Sequence, residues 1–140
     1  MHPNAERWLL KHVSEEQREE FREEYRFFLQ ELWGPLFNYQ YDRLRSGYPL
    51  LHIPFQTSAY LYYTDLKRPL AFEFVGERIK SGQCTVKEYD AYTNRWNRLA
   101  IRDWVHFRFT LEMFEERPDV CKDVMRRGLL ICEKGHVFMH

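Results

Sequence analysis

The sequence predicts an α/β domain: a small mixed sheet flanked by helices. Three observations lead there. Two stretches, near residues 15–33 and 85–102, repeat apolar residues at helical spacing. Short runs near 59–64, 70–75 and 104–109 alternate with the period of a strand. The resulting order is helix, strands, helix, strand, helix, and strands separated by a helix favour a mixed sheet.

Each element has local chemistry behind it. Residues 1–13 carry Trp8, Leu9, Leu10 and Val13 and read as an N-terminal extension, either a docked helical turn or a frayed end. Ser14 is placed to cap a helix, with Gln17 three residues on. That helix is expected over 15–33, with Phe21, Tyr25, Phe28 and Leu32 on one face. Its alternating Glu and Arg residues read as a solvated face with short-range ion pairs. Gly34-Pro35 is expected to stop it. Residues 36–57 form an aromatic connector with Phe37, Tyr39, Tyr41 and Tyr48, and one strand is expected around 50–55. Ala59, Leu61 and Tyr63 then alternate with Tyr60, Tyr62 and Thr64. Asp65-Leu66-Lys67-Arg68-Pro69 makes the turn of an antiparallel hairpin whose return strand is 70–75.

Glycines 76 and 82 bracket an expected polar loop holding Glu77, Arg78 and Lys80. Thr85 and Glu88 form a capping box for a second long helix with Tyr89, Tyr92, Trp96 and Leu99 as its apolar stripe. In the next strand Val105, Phe107 and Phe109 share one face; Trp104, His106 and Arg108 share the other. Thr110 caps a short helical turn. Pro118 opens a last helix, which Arg126-Arg127-Gly128 is expected to close. Residues 129–140 read as a C-terminal extension, expected to form a hairpin.

Composition bounds the function. The 140 residues suffice for one domain with a real core, spanning 1–140. Net charge is zero, so no global field draws the chain to nucleic acid, and binding would need a local basic patch. No apolar run approaches a membrane span, and Met1-His2-Pro3-Asn4 does not begin a signal peptide. Three cysteines, an odd and sparse set, fit a reducing cytoplasm better than a disulfide scaffold.

The residue that stands out is Glu73. Alternation sets it on one strand face with Ala71 and Val75, a carboxylate among small apolar neighbours. Such a group must be paired with an arginine, protonated, or bound to a metal. Weaker signals surround it. A tyrosine-rich loop with arginines more often packs than stacks on bases. Cys132, His136 and His140, with Cys121 and His12 elsewhere, lack the spacing of a zinc knuckle, so no zinc site is expected. Cys84 has no histidine nearby to activate it.

Residues 33–127 resemble small bacterial nuclease-like proteins of the PD-(D/E)XK and very-short-patch-repair endonuclease type. The carrying segments are Leu70-Ala71-Phe72-Glu73-Phe74-Val75-Gly76, then Arg95-Trp96-Asn97-Arg98-Leu99-Ala100-Ile101-Arg102-Asp103-Trp104-Val105-His106-Phe107-Arg108-Phe109-Thr110, then Glu115-Glu116-Arg117-Pro118. The resemblance implies a restriction-endonuclease-like core. It also implies a site in which two or three carboxylates hold Mg²⁺ against a phosphate while a basic residue offsets developing charge. Glu73 matches the family's glutamate. Val75 falls at the second acid or lysine, Tyr62 at the first-strand aspartate, and Tyr25 near a helical glutamate. One carboxylate cannot replace three around Mg²⁺. Arg95 and Arg108 match basic positions, and Arg108 is expected to neutralise Glu73.

The leading expectation is therefore a nuclease-like fold with a degenerate active site, a module binding DNA or protein through Arg95, Arg98, Arg102 and Arg108, with no cofactor. A second is an active Mg²⁺-dependent endonuclease whose site has migrated to Asp65, Glu73, Glu77 and Lys80. A third is a structural or regulatory domain that binds a protein partner or a second copy of itself.

Overall fold

The computed structural model describes residues 1–50 and 57–135. It opens with helix α1 (Pro3–His12), which is part of the body. Ala5 and Trp8 are buried, and the Trp8 indole N–H donates to the Leu44 carbonyl at 3.0 Å. The helix expected over 15–33 is three pieces. Ser14 caps α2 (Glu15–Glu20), accepting the Gln17 N–H at 3.2 Å. The backbone then breaks at Phe21 (φ −112°, ψ 31°), α3 (Arg22–Phe27) follows, and Phe28–Trp33 is a π-helix.

Packing explains the interruption. Phe28, Leu29, Leu32 and Trp33 are all buried, and the wider π turn phases their side chains onto the sheet. Phe28 meets Phe72 at 4.9 Å and Trp33 meets Tyr63 at 5.0 Å between ring centroids. Gly34-Pro35 does not stop the helix, which continues as α4 (Gly34–Leu36). The Gly34 N–H bonds to Leu29 five residues back, so proline's missing donor falls where the π turn gives way to the α turn. A Cβ on Gly34 would stand 2.6 Å from the Tyr39 ring, so this glycine answers to packing. Asn38 and Tyr39, both at positive φ, take the chain out of the helix.

The sheet has four strands in the order β1 (Arg45–Ser46), β2 (Ala59–Tyr63), β3 (Leu70–Phe74), β4 (Val105–Phe109). The first three run antiparallel and β4 is parallel to β3. The expected hairpin is present, and each strand presents the faces its alternation implied. Ala59, Leu61, Tyr63, Leu70, Phe72, Phe74 and Phe109 enter the larger core. That core includes residues of α1, α3, the π-helix, α7 (Leu111–Glu116) and α8 (Pro118–Lys134). Tyr60 and Ala71 turn to the second face, where Tyr92, Trp96 and Leu99 of α6 (Val86–Ile101) cover them. The strand expected at 50–55 lies, apart from Leu50, outside the described residues.

Three further expectations change. The polar loop after Gly76 contains a helical turn, α5 (Glu77–Lys80). The last helix passes through Gly128 and ends at Gly135, whose φ of 85° makes the left-handed cap. Residues 129–134 are therefore helical, and the hairpin expected there is not formed; 136–140 lie outside the described residues. Gly128 is an interior residue because a Cβ there would approach Phe107 of β4 to 2.2 Å.

Glycine inside a helix normally costs about 1 kcal/mol against alanine, so Gly128→Ala would usually stabilise. Here the clash reverses the sign. Gly128→Ala is expected to lower unfolding stability by about 1–3 kcal/mol, the range for overpacking, in a urea titration. An increase in midpoint would mean that α8 does not seat on Phe107 as described.

Candidate functional site

The second face of the sheet is where charge is buried. Glu73 is fully buried near the open end of the hairpin, one pair before its last. Alternation along β3 points it away from the Phe72 and Phe74 core and towards α6. Register supplies its neighbours: Tyr60 stands directly opposite on β2 and Arg108 on β4. Helix α6 starts at a complete Thr85–Glu88 capping box, and its inner stripe brings Tyr92 and Trp96 onto the carboxyl. The Tyr92 hydroxyl donates to Glu73 Oε1 at 3.0 Å. Oε2 has no hydrogen-bond partner among the described residues. Ser58, whose Oγ accepts the Gly76 N–H at 3.1 Å, lies at the same end of the hairpin.

Arg108 does not form the ion pair expected of it. Among the described residues no cation lies within 4.0 Å of the Glu73 carboxylate. The Arg108 guanidinium sits over the Trp96 ring, 5.2 Å from its centroid. That is a cation–π position, from which it acts on Glu73 only through its field. Trp96 is held from its other neighbour as well, His106, at 4.3 Å.

These contacts decide the ionisation. Desolvation pushes the Glu73 pKa up to about 7; the nearby polar groups of Ser58, Tyr92 and Trp96, of which Tyr92 makes the hydrogen bond, and the field of Arg108 offset only part of it. Burial and the adjacent carboxyl likewise push Tyr92 up to about 12. Near neutral pH Glu73 is thus divided between its charged and neutral forms, with Tyr92 as a neutral donor.

The other expected residues do not gather here. Asp65 lies in the turn beyond the Tyr63–Leu70 end of the hairpin, roughly 10 Å along the strand from Glu73, and meets Arg43 at 3.5 Å. Glu77 is exposed on α5 and pairs with Lys80 at 3.0 Å; Lys80 also holds Glu112 at 2.8 Å. Among the described residues no group of three or more His, Cys, Asp or Glu side chains is placed to hold a metal ion. Tyr62 faces Ala71, and the first-strand partner of Glu73 is Tyr60, two positions away. Tyr25 packs edge-on against Phe74 at 5.0 Å, on the far side of the sheet from Glu73.

The arginines divide. Arg95 is buried on the inner side of α6, beside Tyr60. Arg98 and Arg102 are exposed, and neither has a carboxylate within 4.0 Å among the described residues. Arg95 and Arg98 of α6 and Arg102, which caps its C-terminus, follow at helical spacing, and their fields meet at Tyr48, whose hydroxyl donates to the Arg95 carbonyl at 2.7 Å. Cys132 is buried and its thiol is pushed up to about 11, a poor source of thiolate. Sequence reasoning missed Tyr60, Tyr92, Trp96 and Ser58 as the surroundings of Glu73. The available signal was the alternation that put Tyr60, Glu73 and Arg108 on the same strand faces.

Glu73 holds its proton more tightly folded than unfolded. Its contribution to stability is therefore present below about pH 4.5 and is lost as pH rises to about 7. His106, held below its ordinary value by burial, acts in the opposite sense near pH 6.5, so the Glu73 effect must be isolated by difference. Glu73→Gln keeps an acceptor for Tyr92 and removes the titration. It is expected to match wild type near pH 4.5 and to exceed it at pH 8, by up to about 3 kcal/mol in denaturant titrations. Parallel curves across this range would contradict a raised Glu73 pKa.

No family model matches this chain, and neither a curated protein nor a solved structure matches it, so the reading of the site rests on its own geometry.

Proposed function

We propose that this chain is a restriction-endonuclease-like domain that binds the DNA backbone without cleaving it. The order of elements supports the architecture: helix, antiparallel hairpin, connecting helix, then a strand parallel to the second hairpin strand. It is the order the resemblance implies. The observation that carries the functional reading is the separation of charge on the α6 side. The carboxylate at the motif position, Glu73, is sealed beneath α6, while Arg98, Arg102 and Arg108 are exposed.

Chemistry explains why these two facts belong together. A cleaving site needs several oxygen ligands around Mg²⁺ and room for a phosphate and a water. Tyr60, Tyr92 and Trp96 occupy the space around Glu73, and Asp65, Glu77 and Lys80 are engaged elsewhere. Backbone binding needs only guanidinium groups held at a surface, which α6 and β4 supply. Such binding is tolerant of sequence and sensitive to salt. An interface with a second copy or another protein finds less support. The most exposed large apolar residues, Leu10, Val86 and Ile101, sit on α1 and at the opposite ends of α6.

Fluorescence anisotropy with a labelled 20-base-pair duplex across a salt series tests this reading. Binding is expected to weaken with salt. Arg98→Ala combined with Arg102→Ala is expected to reduce the salt slope by about 1 for each of the two arginines that touches a phosphate. Duplex incubated with Mg²⁺ is expected to stay intact. Undetectable binding at low salt, or an unchanged slope in the double variant, would reject DNA as the ligand. Mg²⁺-dependent cleavage abolished by Glu73→Gln would establish an endonuclease instead.

A further inference from the structure

A second cationic site lies away from Glu73, between α1 and the segment leading into β1. It is a cleft of about 400 Å³, lined by Arg7, Lys11 and His12 from α1 and by Gln40, Asp42 and Arg45 from the facing chain. Its size is that of a small-molecule pocket. The floor is fixed by buried aromatic side chains with satisfied polar ends. Trp8 donates to the Leu44 carbonyl at 3.0 Å and Tyr41 to the Leu29 carbonyl at 2.7 Å. Asn4 donates to the Tyr39 carbonyl at 3.0 Å and accepts from the Arg7 guanidinium, which fixes one of the cations.

The charge of this cleft is unbalanced. Arg7, Lys11 and Arg45 are exposed, and none has a carboxylate within 4.0 Å among the described residues. Asp42 is the single acid in the lining. The simplest alternative is that basic residues at the end of α1 answer its helix dipole. That accounts for Lys11 and His12, which lie in the last turn, and not for Arg7; direct bonds to the last carbonyls come from other donors. Leu10 accepts from Arg18 at 3.3 Å, His12 from the Ser46 hydroxyl at 2.6 Å, and Leu9 from the Val13 N–H at 3.1 Å. Arg45, on a strand, has no part in that dipole. The local field is felt by His12, which burial first, and then Lys11 and Arg45, hold below the ordinary histidine value.

We propose that this cleft binds the phosphate monoester group of a small ligand. Three cations against one acid favour a ligand that brings two negative charges, and a phosphate monoester carries nearly that above its second pKa of about 6. Arg7 and Lys11 line the cleft from α1 and Arg45 from β1, so two guanidinium forks and one point charge border it. Asn4 and Gln40 supply neutral polar groups at the rim.

The test is a titration of the full chain at pH 7.5 with inorganic phosphate and, separately, with adenosine monophosphate. It is followed by two-dimensional NMR at constant ionic strength, with sodium chloride as the control. Saturable shifts confined to Arg7, Lys11, His12, Arg45 and their neighbours are expected with at least one phosphate probe and not with chloride. The double variant Arg7→Ala, Arg45→Ala, both exposed, is expected to weaken binding at least about tenfold, the equivalent of one charge-assisted hydrogen bond. Arg126→Ala, at an exposed cation of α8, is expected to leave it unchanged. Equal affinity for the two probes assigns the cleft to the bare phosphate group; tighter binding of the nucleotide assigns it to an organic monoester. Shifts that do not saturate, that chloride reproduces, or that persist in the double variant would overturn the proposal. Shifts seen only with a DNA duplex would overturn it too, and would make the cleft part of a nucleic-acid surface.

Discussion

The structure is organised around a buried carboxyl that has no ion pair among the described residues. Glu73 lies on an inner strand of the sheet, fully enclosed, with one oxygen held by Tyr92 and the guanidinium opposite it on β4 placed over Trp96. A charged carboxylate in that position is expensive, and the Tyr92 hydrogen bond recovers only part of the cost. The protein carries the group by sharing it between two protonation states. This has a structural consequence for α6. The helix cannot be a purely apolar cover, because it must deliver a hydroxyl to the carboxyl. Tyr92 does so from the same stripe that packs Trp96 and Leu99.

The two faces of the sheet answer different demands. The larger core is built from aromatic rings of the N-terminal helices set against Phe72, Phe74 and Phe109, and its needs reshape the helices above it. The break at Phe21 and the π-helix over Phe28–Trp33 both put large rings where a straight helix would not. The smaller core leaves its polar residues in layers: Glu73 and Tyr60 sealed inside, Arg108 at the edge, Arg98 and Arg102 in solvent. That layering sets a sealed carboxyl apart from an exposed cationic surface.

Much of this was legible in the sequence because it follows from period and capping. The period of two placed Glu73 and Phe74 on opposite faces, and Thr85 with Glu88 marked the start of α6. What was hidden depends on partners far along the chain. Gly128 reads locally as a helix stop, and only Phe107 lying over it makes it an interior residue. Gly34-Pro35 reads the same way, and the preceding π turn removes the conflict. The pairing of Glu73 with Tyr60 depends on a turn that runs from Thr64 to Pro69, a length no spacing argument fixed. Arg108 was a reasonable counter-ion by register, but stacking on Trp96 offers the guanidinium a site where it keeps contact with water.

The central claim is that Glu73 is held by the Tyr92 hydrogen bond and a distant field, with no direct ion pair among the described residues. Its most direct test is a carbon-13 NMR titration of the glutamate side-chain carboxyls, with the Glu73 resonance assigned by its loss in Glu73→Gln. The account predicts a midpoint of about 7. A midpoint at or below the ordinary glutamate value of about 4.3 would contradict it, and would mean that a cation reaches the carboxylate in solution.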